Sequence, residues 1–215
     1  MIRIKICCIS SITEAQTAIS FGADAIGLVG KMPSGQGVIT DEMICTIAKT
    51  VPPPVATFLL TSETSSGGIV NHNRKVNTNT IQIVDAMKLG SYKDIREKLP
   101  NVKIVQVIHV LNEGSIEEAL KISEKVDALL LDSGNPNLAV KELGGTGRTH
   151  NWAISRRIVE QSKVPVFLAG GLNALNVREA IDIVQPFAVD VCSGVRTGCK
   201  LDERKLEAFF KAVLG

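Results

Sequence analysis

The stretch Ile2-Arg3-Ile4-Lys5-Ile6-Cys7-Cys8-Ile9-Ser10-Ser11 decides between two folds. Its first six residues alternate with the period of two that marks a strand. Ile2, Ile4 and Ile6 fall on one face, suited to packing under helices, while Arg3, Lys5 and Cys7 fall on the other. An open, doubly wound nucleotide-binding sheet carries a glycine-rich turn after its first strand. Cys7-Cys8-Ile9-Ser10-Ser11 contains no glycine. A helix-forming stretch, Ile12–Phe21, follows directly, so the chain opens as a strand–helix unit without a nucleotide loop.

Working outward, the same unit recurs. Strands are expected at Ile2–Cys7, Ala25–Val29, Val55–Leu60, Thr80–Val84, Lys103–Val110, Ala128–Asp132, Val164–Ala169 and Ala188–Cys192. Helices are expected near Ile12–Phe21, Asp41–Thr50, Gly67–Val76, Tyr92–Leu99, Ser115–Lys125, Asn151–Gln161, Ala174–Val184 and Asp202–Val213. Thr13-Glu14, Thr40-Asp41 and Asn173 read as helix-start signals. Alternating strands and helices call for a parallel sheet, because parallel strands need crossover connections. Length alone allows one domain or two. Eight units across 215 residues leave about 27 residues per unit, enough for one minimal (β/α)8 TIM barrel spanning residues 1–215 as a single domain.

Composition excludes several function classes. The 24 Lys+Arg against 22 Asp+Glu leave a net charge of +2, too balanced for a polybasic nucleic-acid surface. Aromatic residues make up 4%, so the core must be aliphatic and a base-stacking platform is not expected. No apolar run approaches the roughly 18 residues of a membrane span. The five cysteines form no C-x-x-C pair, and the N-terminus shows no long apolar stretch. The expectation is a reduced, cytoplasmic protein with a small-molecule substrate, as a monomer or homodimer, without nucleic acid or membrane partners.

A barrel carries its chemistry at the C-terminal ends of the strands. Three late loops there are glycine-rich: Gly144-Gly145-Thr146-Gly147, Gly170-Gly171 and Ser193-Gly194. Glycines let backbone amides approach an anion, and a following helix N-terminus adds partial positive charge. Each alone reads as a tight turn; on consecutive late strands they read as a phosphate cradle. Alternation points Cys7 into the barrel mouth, and Asp132 closes the sixth strand on the same face as Ala128 and Leu130. A thiol with a lowered pKa is a base, and a carboxyl with a raised one is a proton donor. The same two residues also read as a buried structural cysteine and a loop-capping aspartate.

These motifs resemble those of the phosphoribosylanthranilate isomerase family. The matching stretches are Lys5-Ile6-Cys7, Gly22-Ala23-Asp24-Ala25-Ile26-Gly27, Leu129-Leu130-Leu131-Asp132-Ser133, Gly144-Gly145-Thr146-Gly147, Leu168-Ala169-Gly170-Gly171-Leu172-Asn173 and Val189-Asp190-Val191-Cys192-Ser193-Gly194-Val195. The resemblance implies a barrel fold and an Amadori rearrangement of an N-linked phosphoribosyl amine in tryptophan biosynthesis. It makes Cys7 the general base and Asp132 the general acid, with no metal and no organic cofactor. Gly145, Thr146, Gly147, Gly170, Gly171, Ser193 and Gly194 would hold the substrate's phosphate.

The chain departs from the family pattern in places. Cys7-Cys8 replaces Cys-Gly, and Ser34-Gly35-Gln36 replaces Ser-Pro-Arg, so the arginine is absent. Gln82-Ile83-Val84-Asp85 replaces Gln-Leu-His-Gly, and Arg148-Thr149-His150-Asn151 replaces Lys-Thr-Phe-Asp. These changes keep two alternatives open: a related isomerase for another phosphosugar, or a non-catalytic phosphosugar-binding barrel. Gln36, Gln82, His109 and Arg148 are further candidates for substrate contact. Arg196 is expected at phosphate or in solvent, and Asp190 in a structural role within the barrel. Cys8 reads as a second thiol or a redox partner of Cys7 or Cys192, but Cys8 and Cys192 are expected as small packed thiols; Phe209 and Phe210 are expected to close the barrel. Cys7, Cys192, Cys199 and His109 have no recognised metal-ligand spacing.

Overall fold

The computed structural model describes residues 1–145 and 147–215; Thr146 lies outside them. Eight strands run β1 Arg3–Ile6, β2 Ala25–Val29, β3 Ala56–Thr61, β4 Thr80–Ile83, β5 Lys103–His109, β6 Ala128–Asp132, β7 Val166–Leu168 and β8 Ala188–Val191. They pair in sequence order, all parallel, and β8 returns to β1 with Arg3–Ile6 against Ala188–Val191, closing a TIM barrel. The helices are α1 Ile12–Ser20, α2 Asp41–Thr50, α3 Ser66–Val76, α4 Tyr92–Lys98, α5 Gly114–Ser123, α6 Trp152–Gln161, α7 Val177–Val184 and α8 Glu203–Leu214. A two-residue ribbon, β9 Arg196–Thr197 with β10 Lys200–Leu201, intervenes before α8.

Strand alternation builds two cores. Ile4, Ile6, Ile26, Leu28, Ile81, Ile83 and their counterparts point outward into a shell completed by helix residues such as Ile44, Ile47 and Ile69. Phe209 and Phe210 belong to this outer shell, Phe210 against Phe21 with ring centroids 6.2 Å apart; they pad α8 onto the barrel wall. Phe58, Leu60, Val105, Val107, Leu130 and Phe167 fill the interior.

Most helix starts follow local chemistry. Thr40 accepts from the Met43 amide, and Ser91 with Asp94 forms a full capping box. Two of the expected start signals are not where the helices begin. Ser11, not Thr13, caps α1, because its extended backbone lets its hydroxyl reach the Glu14 amide. Helix α7 begins at Val177 rather than Ala174, because Asn173 and Asn176 exchange hydrogen bonds and hold residues 173–176 in a turn.

Arg196 departs furthest from its expected place. It is buried and does not line the glycine turns' cavity. The β9–β10 ribbon folds its guanidinium inward, where it pairs with Glu14 at 3.0 Å and donates to the carbonyls of Cys7, Cys8 and Cys199. Burial pushes the Glu14 carboxyl up, but hydrogen bonds from Arg196 and from the Leu201 and Ser10 amides more than offset this and hold it below the usual range. Its stabilising contribution is present above the unfolded carboxylate value and is lost as pH falls through the depressed folded one. Arg196→Ala strands Glu14 and three carbonyls, at an expected cost of about 3–5 kcal/mol, or a Tm lower by roughly 10 °C. Thermal unfolding at neutral pH measures this; an unchanged Tm contradicts the assigned role.

Candidate active site

The C-terminal strand ends and their loops enclose a cavity of about 80 Å3. Cys7, Gln36, Gln82, Asp132, Gly145, Gly147, Gly170, Gly171 and Ser193 all line it. The Ser34 hydroxyl donates to the Lys141 carbonyl across the mouth, and Lys141 pairs with Asp85, so the long loop after β6 is tied to the loops after β2 and β4. Gly194, His109 and Arg148 are not among the lining residues. Gly194 packs instead: a Cβ there would lie 2.0 Å from the Leu172 carbonyl, so glycine lets the turn after β8 close against the loop after β7. The Nε2 of His109 lies 3.0 Å from the Val84 carbonyl, and its ring lines a separate groove with Tyr92 and Glu118. Arg148 pairs with Glu142 within its own loop. The phosphate-cradle reading of Thr146 falls outside the described residues.

Cys7 follows directly after β1, 5% exposed, its amide donating to the Val191 carbonyl at 2.8 Å. Beneath it, on the same inward face, Lys5 is fully buried, 2.9 Å from Asp190 Oδ1 and 5.2 Å from the centroid of Phe58. A Cβ on Gly27 would sit 2.7 Å from Cys7 Sγ and 3.1 Å from Lys5 Nζ, so sulfur and ammonium both lie over that glycine. No side chain other than hydrogen fits there. Burial works against the Lys5 charge, but Asp190 and then Cys7 hold its pKa above the ordinary value, so it stays cationic.

Burial pushes the Cys7 thiol up to about 11, with Lys5 opposing and Asp190 adding to the rise. A base calls for a lowered thiol pKa, but enclosure outweighs the nearby cation. Alkylation of Cys7 by iodoacetamide, followed on its own peptide, is therefore expected to reach half its maximal rate near pH 11. A midpoint near pH 8 contradicts that balance. Asp132, 7% exposed, accepts from the Ser133 amide at 2.8 Å. Burial raises its pKa, against the Ser133 hydrogen bond and the positive side of His109.

Among the described residues lining the cavity there is no lysine or arginine. Burial pushes nearby His150 down to about 4, so it adds no charge at neutral pH. An anion in this cavity would meet backbone amides of the glycine turns rather than a cationic side chain of the described lining.

Cys8 and Cys192 are not separate packed thiols. They form a disulfide, Cα–Cα 5.8 Å, across the seam where β8 meets β1. Alternation along β1 ends at Cys7, and the positive φ of Cys8 (62°) turns its side chain to that seam. Cys7, Cys45 and Cys199 are free. Lys5 is the principal site residue that the sequence reading left unassigned, although its parity with Cys7 was the available signal.

Apart from Leu130 in mid-β6, the groups facing this cavity come from the C-terminal part of a strand or the loop that follows, where TIM-barrel enzymes carry their chemistry. The class is therefore a TIM-barrel enzyme. Residues 4–212 match the family model described as N-(5'phosphoribosyl)anthranilate (PRA) isomerase. An N-(5'-phosphoribosyl)anthranilate isomerase of Methanocella arvoryzae is 36% identical over 214 residues, covering 99% of this chain and 98% of that one. Monomers made from the dimeric phosphoribosylanthranilate isomerase of Thermotoga maritima superpose with TM-score 0.81 at 28% identity, over 100% of both chains. A phosphoribosylanthranilate isomerase in complex with reduced 1-(o-carboxyphenylamino)-1-deoxyribulose 5-phosphate gives TM-score 0.79 at 29% identity, again over 100% of both chains. The chain belongs to the N-(5'-phosphoribosyl)anthranilate isomerase family, the isomerases of tryptophan biosynthesis. Among the described residues, no helix is long and apolar enough to cross a membrane.

Proposed function

We propose that this chain converts phosphoribosylanthranilate to its ketose isomer, with Asp132 as general acid and Cys7 as general base. The carrying observation is that a buried thiol and a buried carboxyl face one glycine-walled cavity. Asp132 protonates the furanose ring oxygen, and the ring opens to an iminium. The Cys7 thiolate then removes the C2′ proton, and the resulting enolamine takes a proton at C1′ as its C2′ hydroxyl releases one, becoming the ketose. Lys5 favours the thiolate, and the iminium serves as electron sink, so no organic cofactor enters the scheme. Backbone amides at Gly145, Gly147, Gly170, Gly171 and Ser193 seat the phosphate, which orients the sugar between acid and base. Gly194 supports the last turn through its packing, while His109 acts behind Asp132. The reading treats residues 1–215 as one cytoplasmic barrel domain, a monomer or homodimer.

The proton positions have a consequence for pH. The working pair, thiolate with neutral carboxyl, carries the same net charge as the major pair, thiol with carboxylate. Its fraction is constant between the two pKa values and falls outside them. kcat/KM is thus expected to be flat from an acid limb set by Asp132 up to an alkaline limb near pH 11. A maximum confined to acidic pH contradicts it.

Gln36 favours weighing a second reading, an isomerase for another phosphoribosyl amine. A neutral amide lacks the charge and fork with which arginine holds a carboxylate. Assaying phosphoribosylanthranilate beside the analogue without the ring carboxylate separates the two. Turnover of the first with the lower KM supports the proposal; turnover of the analogue alone overturns it.

A further inference from the structure

The seam between β1 and β8 is hydrogen-bonded through the pair Ile6–Val191, and the Cys7 amide adds a last bond to Val191. One residue further on, where the chains part into loops, the Cys8–Cys192 disulfide joins them. Cys8 is held there at φ 62°, a left-handed backbone that residues with a Cβ adopt at a cost. Arg196 fixes its carbonyl. Cys192 is the residue from which the 3-10 turn Ser193–Val195 starts. Both cysteines line the active-site cavity, Cys192 half-buried and Cys8 5% exposed. The bond therefore anchors the turn after β8 to the strand end that carries Cys7.

We propose that Cys8 and Cys192 are a reversible redox site that sets how firmly the Ser193–Gly194 turn is held, and through it the affinity for the substrate's phosphate. The affinity part rests on the reading of that turn as part of the phosphate seat. The oxidant is a small disulfide of the glutathione class. The Cys192 thiolate, the more accessible, attacks one of its sulfurs and expels one small thiolate. The Cys8 thiolate then attacks the Cys192 sulfur of the mixed disulfide and expels the other. The protons lost by Cys8 and Cys192 end on the two small thiols, and reduction runs the same steps in reverse. Cys7, one residue away but buried and outside the bond, stays free in both states.

Iodoacetamide labelling of aerobically purified, denatured protein tests the chemistry. Without reductant it should mark Cys7, Cys45 and Cys199 only, and the digest should contain one peptide pair joined through Cys8 and Cys192. After reduction all five cysteines should label. Labelling of all five without reductant, with no bond recovered on incubation with glutathione disulfide, overturns the proposal. Reduction with dithiothreitol is expected to raise KM for phosphoribosylanthranilate about threefold or more, with kcat changed less than about twofold. It should also lower Tm by roughly 5–10 °C. Glutathione disulfide should restore both, and Cys192→Ser should show the reduced-form KM in either buffer. A bond that forms and breaks without moving KM overturns the control of affinity. Thiol counting and melting need no substrate, so they stand or fall separately from the isomerase assignment. If phosphoribosylanthranilate is not turned over, calorimetry with inorganic phosphate replaces KM, with weaker binding expected after reduction and equal binding overturning the claim.

Discussion

Asp132→Asn is expected to lower kcat on phosphoribosylanthranilate by about 10²–10⁴-fold while KM moves by less than about threefold. The substitution preserves shape and leaves an oxygen to accept from the Ser133 amide, the hydrogen bond that orients the side chain at 2.8 Å. What it removes is the proton. Burial raises the Asp132 pKa and so favours the neutral carboxyl, whereas an amide has no proton to give the ring oxygen. The loss should therefore fall on the chemical step and not on binding. Steady-state kinetics separate the two; an equal rise in KM with kcat unchanged would assign Asp132 to binding alone.

Cys7→Ser is expected to cost a similar factor, about 10²–10⁴ in kcat. The backbone bonds to Val191 and from Arg196 survive, so folding is unaffected and Tm should shift little. A serine hydroxyl is a much weaker acid than a thiol, and Lys5 beneath it cannot supply enough stabilisation to yield an alkoxide. Kinetics and melting together check the outcome. Near-normal turnover in the serine variant would assign proton abstraction to another group.

Strand alternation made much of this legible. Ile4 and Ile6 against Lys5 and Cys7 reads directly as an outer shell and an inner face, and Ala128-Leu130-Asp132 reads in the same way. Strand ends were legible too, which located Cys7, Asp132 and the glycine turns at the C-terminal face. What escaped depends on backbone turns beyond the last ladder bond. Alternation sends Cys8 away from Cys7, but a left-handed φ breaks the period and aims it at Cys192, 184 residues along the chain. Arg196 sits beside a glycine turn in sequence, yet the β9–β10 ribbon rotates it onto Glu14. The thiol's raised pKa reflects burial, which strand parity alone does not reveal.

Single-turnover conversion of phosphoribosylanthranilate in D2O, read by NMR of the product, tests the acid–base pair most directly. The wild-type protein should form the ketose with one solvent deuterium at C1′, and Cys7→Ser and Asp132→Asn should form it about 10²–10⁴-fold more slowly. Labelled ketose appearing at wild-type rate in either variant would contradict the assignment of Cys7 and Asp132.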